Sequence, residues 1–298
     1  MTGEKRFKVD NTVLDNVAGH MVARRKGKNG PEQLPLPGIG AMTALELYTL
    51  YACFYFAERS GDVNGLVEVS ITDFIERLEN ERYEAGETGY QTFDTQTYKE
   101  VYDALFRLYT ASREYVYTRK GQTYAIQTRL LTSLGLRFAG VDAVEDQPKH
   151  RLINLNAYSE DFPVWSLTGR RPNGLVFQLS PSLTAGILGR GEHIGYSLLP
   201  EFIFGFRKTP GGGGRQALLT QFVSRQTGNE VAIHIDNLRD KLAIPGRNVN
   251  RDRESILKHL KTLKDLGEIE SYSLDRRNIL RVKKTAKAAG KDPPPAKA

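Results

Sequence analysis

The pattern that most restricts how this chain can fold lies near its C-terminus, over residues 215–283. RQALLTQFVSRQTGN sets Ala217, Leu218, Phe222 and Val223 on one face of a helix that stops at Gly228, where a left-handed C-cap is expected. EVAIHI reads as a short strand, and Asp236 as the cap of a helix of about two turns, NLRDKLAI, that ends at Pro245-Gly246. NVNRDRESILKHLKTLKDLGEI then carries Ile256, Leu260 and Leu263 on one stripe and ends at Gly267. The closing segment EIESYSLDRRNILRV alternates around a polar tip, Asp275-Arg276-Arg277-Asn278, as a β-hairpin does.

Helix, strand, helix, turn, helix, hairpin is the order of a winged helix. The same order can be read a second time nearer the N-terminus. Thr43 and Glu46 form a capping-box pair at the head of TALELYTLYACFYFAERSG, LVEVS is a strand, SITDFIERLENE a short helix, and DTQTYKEVYDALFRLY a third helix with Val101, Leu105 and Leu108 inward. EYVYTR and TYAIQTRLL form a hairpin around a KGQ turn. RLINLNAY and GLVFQLSP read as strands extending the first sheet, and YSLLPEFIFGF as a helix. The expectation is an α+β fold of two tandem winged-helix domains with flexible N- and C-terminal tails. Residues 1–40 form the first tail, rich in charge, Gly and Pro. Residues 41–208 are the first winged helix with extra strands, 209–283 the C-terminal DNA-binding one, and 284–298 a disordered basic tail. The glycine run TPGGGGR is placed as a hinge or loop into the last domain.

Charge is distributed unevenly. Residues 1–30 carry 7 Lys or Arg against 3 Asp or Glu, residues 31–205 carry 15 against 22, and residues 206–298 carry 20 against 10. A basic C-terminal third beside an acidic middle points to a polyanion, most simply nucleic acid. A solvated charged surface with a lysine tail is the alternative. The remaining composition excludes other classes. No apolar run approaches a membrane span, and the start MTGEKRFKVDN lacks a signal-peptide core, so a cytoplasmic location and no membrane partner are expected. The single cysteine, Cys53, excludes a disulfide framework and reads as a buried helix position.

A winged helix lays its third helix in the major groove. With Ile256, Leu260 and Leu263 inward, Arg251, Glu254, Lys258 and Lys261 face outward as groove candidates. Arg247, Asn248 and Asn250 stand at the helix start, where they can reach phosphates or base edges. Arg276 and Arg277 at the hairpin tip suit phosphates or a narrow minor groove. The corresponding helix of the first unit exposes Lys99, Asp103 and Arg107 in acidic surroundings, which suits dimerisation as well as DNA.

Catalytic constellations are not found. His20, His150, His193, His234 and His259 are scattered without metal-ligand spacing, and the glycine run lacks the Gly-Lys-Ser/Thr of a phosphate loop. The expectation is a protein that is not an enzyme and uses no cofactor.

A basic C-terminal winged helix preceded by a degenerate copy resembles the plasmid replication initiators of the Rep and TrfA type, over roughly residues 31–283, with GLVFQLSPSLTAGIL similar to their strand-helix segment between the two units. The resemblance implies a nucleoid- or plasmid-associated protein that binds direct repeats (iterons) in a replication origin. It further implies melting of an adjacent element, recruitment of host replication proteins such as the replicative helicase and the initiator ATPase, and dimerisation. Gln33-Leu34-Pro35-Leu36-Pro37 is similar to the peptide that docks on the polymerase sliding clamp. Leu34 and Leu36 would fill the pockets, and Pro37 departs from the expected aromatic or leucine. The same segment reads equally as a proline-containing linker. A transcriptional regulator on a palindromic operator is the other DNA-binding class. A rolling-circle nickase would need a histidine pair that the sequence lacks.

Overall fold

The computed structural model describes residues 5–10, 42–60, 62, 65–80, 93, 95–110, 112–119, 122–137, 173–181, 183–184, 196–208, 213–226, 228–242 and 249–285. The fold is mixed α+β with small sheets. No helix among the described residues is long and apolar enough to cross a membrane.

The N-terminal part is built around α1 (Ala44–Ser60), whose head is closed as expected: the Thr43 N–H donates to Glu46 Oε2 at 2.9 Å and the Glu46 N–H to Thr43 Oγ1 at 3.2 Å. Strand β2 (Leu66–Ser70) leads into α2 (Ile71–Glu79), where Ser70 caps by accepting from the Asp73 N–H and Asn80 closes the other end in the left-handed region. Helix α3 (Thr95–Thr110) buries Val101, Leu105 and Leu108, the stripe that its spacing predicts. A hairpin of β3 (Ser112–Arg119) and β4 (Gln122–Arg129) follows, then β5 (Leu131–Arg137) and β6 (Gly174–Leu179).

Pairing in this part departs from a simple repeat of the C-terminal pattern. Strand β2 pairs with β6, and β6 with β5, while β3 and β4 form a two-stranded sheet of their own. GLVFQL therefore extends the first sheet as expected; RLINLNAY lies outside the described residues. The segment expected to be a helix, YSLLPEFIFGF, is instead strand β7 (Tyr196–Pro200) followed by a 3₁₀ helix (Glu201–Lys208). The reason is a partner distant in sequence. Strand β1 (Arg6–Asp10), inside the expected N-terminal tail, pairs antiparallel with β7, and its Phe7 and Val9 are fully buried, Phe7 stacking on Phe204 at 5.6 Å.

The C-terminal part follows the predicted order: α4 (Gly214–Arg225), β8 (Glu230–His234), α5 (Ile235–Lys241), α6 (Val249–Asp265), β9 (Ile269–Leu274) and β10 (Ile279–Lys284), with sheet order β8-β10-β9. Two boundaries differ from expectation. Helix α4 ends at Gln226 in extended conformation rather than at a left-handed Gly228, and Asp236 lies inside α5 instead of capping it, its carboxylate serving cross-helix ion pairs. Gly267, by contrast, has φ 75° and closes α6 as predicted.

Helix α4 joins the two parts. Instead of one apolar face it buries Gly214 and every residue from Gln216 to Val223. The Tyr51 hydroxyl donates to Gln221 Oε1 at 2.6 Å and the Tyr48 hydroxyl to the Gly213 carbonyl at 3.0 Å. Gly213, at the end of the expected hinge, is buried at φ 59°, where a Cβ would stand 1.8 Å from the Phe206 carbonyl oxygen. Arg6 of β1 reaches Glu268 at the start of the hairpin, 2.6 Å, with both side chains largely buried.

Candidate nucleic-acid interface

Helix α6 forms because its apolar residues recur at helical spacing, and it buries Ile256, Leu260 and Leu263 completely. The rotation of about 100° per residue then turns Asn250, Arg251, Glu254, Lys258 and Lys261 away from the body. All five are exposed. They occupy one arc of the helix surface, as their spacing predicts. Arg247 and Asn248 lie outside the described residues, as do Gln33, Leu34 and Leu36.

Helix α6 is tied to α5 by a chain of ion pairs that the sequence reading missed. Arg239 on α5 pairs with Asp252 on α6 at 3.0 Å, with side chains 13% and 12% exposed. Asp236 on α5 pairs with Arg253 on α6 at 3.3 Å and with Arg239 at 3.5 Å. Desolvation pushes the Asp236 carboxyl up, but the Arg253 and Arg239 guanidinium groups together outweigh it and hold the carboxyl below the usual carboxylate value. The available signal was Asp252, a carboxylate on the same stripe as Ile256, Leu260 and Leu263. An acid on an inward stripe calls for a buried cation.

The hairpin tip is preorganised by Asp275. Its Oδ1 accepts from the Arg277 N–H at 2.8 Å and the Ile279 N–H at 2.9 Å, while Asn278 takes φ 61°. The Ile279 N–H is the main cause, against slight desolvation and helped by the Arg277 N–H, of an Asp275 carboxyl held below its ordinary value. The turn projects Arg276 and Arg277 into solvent, and neither makes an ion pair with a described residue. The strand cations below them are matched: Arg281 faces Glu230 at 3.8 Å and Lys283 faces Glu270 at 2.8 Å. Among the described residues, positive charge is thus least compensated at the tip and at Lys258 and Lys261 on the outer face of α6.

Among the described residues, no group of three or more His, Cys, Asp or Glu is placed to hold a metal ion. His259, half-buried on α6, is pushed below the ordinary imidazole value by burial first and then by Arg215 and Lys258. His234 stands 3.7 Å from Asp236. Cys53 is buried, and burial pushes its thiol well above the ordinary range. On α3 the exposed cation Arg107 is engaged with the buried Glu46 at 3.3 Å.

No protein-family model matches the chain, and no curated protein matches it. Among solved structures it is similar to the crystal structure of selenomethionine derivatives of domain 2 and domain 3 of RctB, with 16% identity and a TM-score of 0.48 over 82% of each chain. It is also similar to a second crystal structure of RctB domains 2-3, with 14% identity and a TM-score of 0.43 over 83% of this chain and 84% of that one.

Proposed function

We propose that the chain is a sequence-specific DNA-binding replication initiator of the plasmid type, built from two tandem winged-helix units, that binds direct repeats in an origin, promotes its opening and recruits host replication proteins. The observation that carries the DNA-binding part is the exposed arc of Asn250, Arg251, Glu254, Lys258 and Lys261 on a helix whose opposite stripe is fully buried. In this reading α6 enters the major groove, where Asn250 takes an adenine edge and Arg251 a guanine edge bidentately. Arg276 and Arg277 hold phosphates beside the groove, aided by a turn ordered before DNA arrives. Arg239, Asp252, Asp236 and Arg253 fix the entry angle, which lets a 17-residue helix read bases instead of sliding over phosphates.

Direct repeats rather than a palindrome are supported by the way the two parts are joined. A buried α4 and the Arg6–Glu268 pair make one asymmetric body, so a single chain offers tandem contacts along one duplex. Enrichment of duplexes from a random-sequence pool by the full-length protein tests this. Tandem copies of one short word support the initiator reading, and an inverted pair would instead support a regulator acting on an operator.

A further inference from the structure

Two exposed acids lie on the outward arc of α6, Asp265 at its last residue and Glu254 among the proposed DNA-reading residues. Glu254 lies between Asn250 and Arg251 on one side and Lys258 and Lys261 on the other, about 4.5 Å along the axis from Arg251 and about 6 Å from Lys258. Lys258 is four residues on, the spacing at which Glu and Lys pair best on a helix, yet Glu254 makes no ion pair with a described residue. In the free protein this exposed carboxylate is hydrated; inside a DNA groove it would lose that water, at a cost, unless a base supplied a donor.

Resting on the DNA-binding reading, we infer that Glu254 is a specificity-determining residue that accepts a hydrogen bond from the N4 amino group of a cytosine in the major groove. A carboxylate carried into DNA meets phosphate charge, and on base edges it meets the acceptors N7 and O6 of guanine and O4 of thymine. Only the exocyclic amino groups of cytosine and adenine offset that repulsion. Adenine's amino group stands beside the N7 acceptor, whereas cytosine's stands beside a C5–H edge, so cytosine is the base that a carboxylate tolerates best. Glu254 therefore lowers affinity for every wrong sequence while supporting the right one, which is specificity by repulsion.

Two variants of the full-length protein test it. Wild type, Glu254→Gln and Glu254→Ala each enrich duplexes from a random pool, and each is then titrated on the wild-type duplex and on a scrambled one at the same salt. The expected result is a cytosine at one position for wild type. That position changes to adenine for Glu254→Gln, because an amide accepts from N6 and donates to N7, and becomes degenerate for Glu254→Ala. Glu254→Ala should bind the scrambled duplex about threefold tighter and the enriched duplex about tenfold weaker. Identical base preferences for all three proteins would overturn the assignment while leaving DNA reading intact, as would a wild-type preference for adenine at the position sensitive to Glu254. A pool in which wild type enriches nothing overturns the DNA-binding reading, and the cytosine assignment with it.

Discussion

Helices α3 and α6 occupy the same place in the order of elements and present different surfaces. Both bury a stripe of aliphatic residues, Val101, Leu105 and Leu108 in one and Ile256, Leu260 and Leu263 in the other. On α6 the outward arc holds Asn250, Arg251, Lys258 and Lys261 with two acids, Glu254 and Asp265, while Arg239 and Arg253 make their ion pairs beneath it. On α3 the outward residues include Gln96, bonded to Glu100 at 3.0 Å, and Arg107, bonded to Glu46. The hairpins differ in the same sense: β9 and β10 belong to a three-stranded sheet with β8, whereas among the described residues β3 and β4 pair with each other alone. Element order is thus a poor guide to use. What distinguishes a surface able to read DNA is where the counter-charges lie, beneath the face or on it.

The largest expected effect separates the two helices by stability. Asp252→Ala leaves the largely buried Arg239 guanidinium with only the weaker Asp236 contact at 3.5 Å and should destabilise the protein by about 3 kcal/mol in a denaturant titration. Arg107→Ala removes a partner that is 61% exposed. It should change stability by less than about 1 kcal/mol, since Glu46 keeps its capping bond to the Thr43 N–H. Equal losses would mean that the ion pairs linking α5 to Asp252 do not hold α6.

A second comparison uses DNA. Asn250→Ala or Arg251→Ala should weaken binding to an enriched duplex by about 1 to 3 kcal/mol, while Lys99→Ala on α3 should weaken it by less than about 0.5 kcal/mol. Substitutions are the right tool here and cutting is not: separating the chain at residue 206 would strip α4, which buries Leu218, Leu219 and Phe222, of its packing against α1 and β7.

The elements with local signatures were legible in the sequence. The Thr43 and Glu46 capping box, the Ser70 start of α2, the inward stripes of α3 and α6 and the Asp275–Asn278 tip are decided within a turn or two of chain, and each is found where the residues place it. Two local signatures failed, Gly228 as the end of α4 and Asp236 as the cap of α5, but the larger departures depended on distant partners. YSLLP alternates as a strand should, but nothing local reveals that residues 6–10 supply its pairing edge. Burial of α4 on all sides, Gln216 and Gln221 included, follows from being packed between two parts, a condition that amphipathic spacing cannot announce. Within the candidate site the outward face was readable because it is the complement of the inward stripe. Arg239 on the short α5 and Arg253 on α6 were not, since an arginine on a helix looks solvated until its carboxylate partner is known.

A smaller effect is set by pH. His259 has its folded value below the ordinary imidazole value of 6.5, so the unfolded chain binds the proton more readily and stability present at neutral pH is lost as pH falls below that value. The melting temperature should fall between about pH 7.5 and about pH 5.5, and His259→Gln should reduce that fall. An unchanged difference in the variant would assign the acid sensitivity to other groups.

The central claim, that α6 reads bases while the hairpin tip holds phosphates, is tested most directly by a salt series on enriched and scrambled duplexes. Arg276→Ala and Arg277→Ala should each weaken both duplexes alike and reduce the slope of log K against log salt by about 0.9, whereas Asn250→Ala should leave the slope unchanged and shrink the ratio between the two duplexes. A changed sequence preference in the tip variants, with the ratio intact in Asn250→Ala and Arg251→Ala, would contradict the docking and remove α6 from the groove.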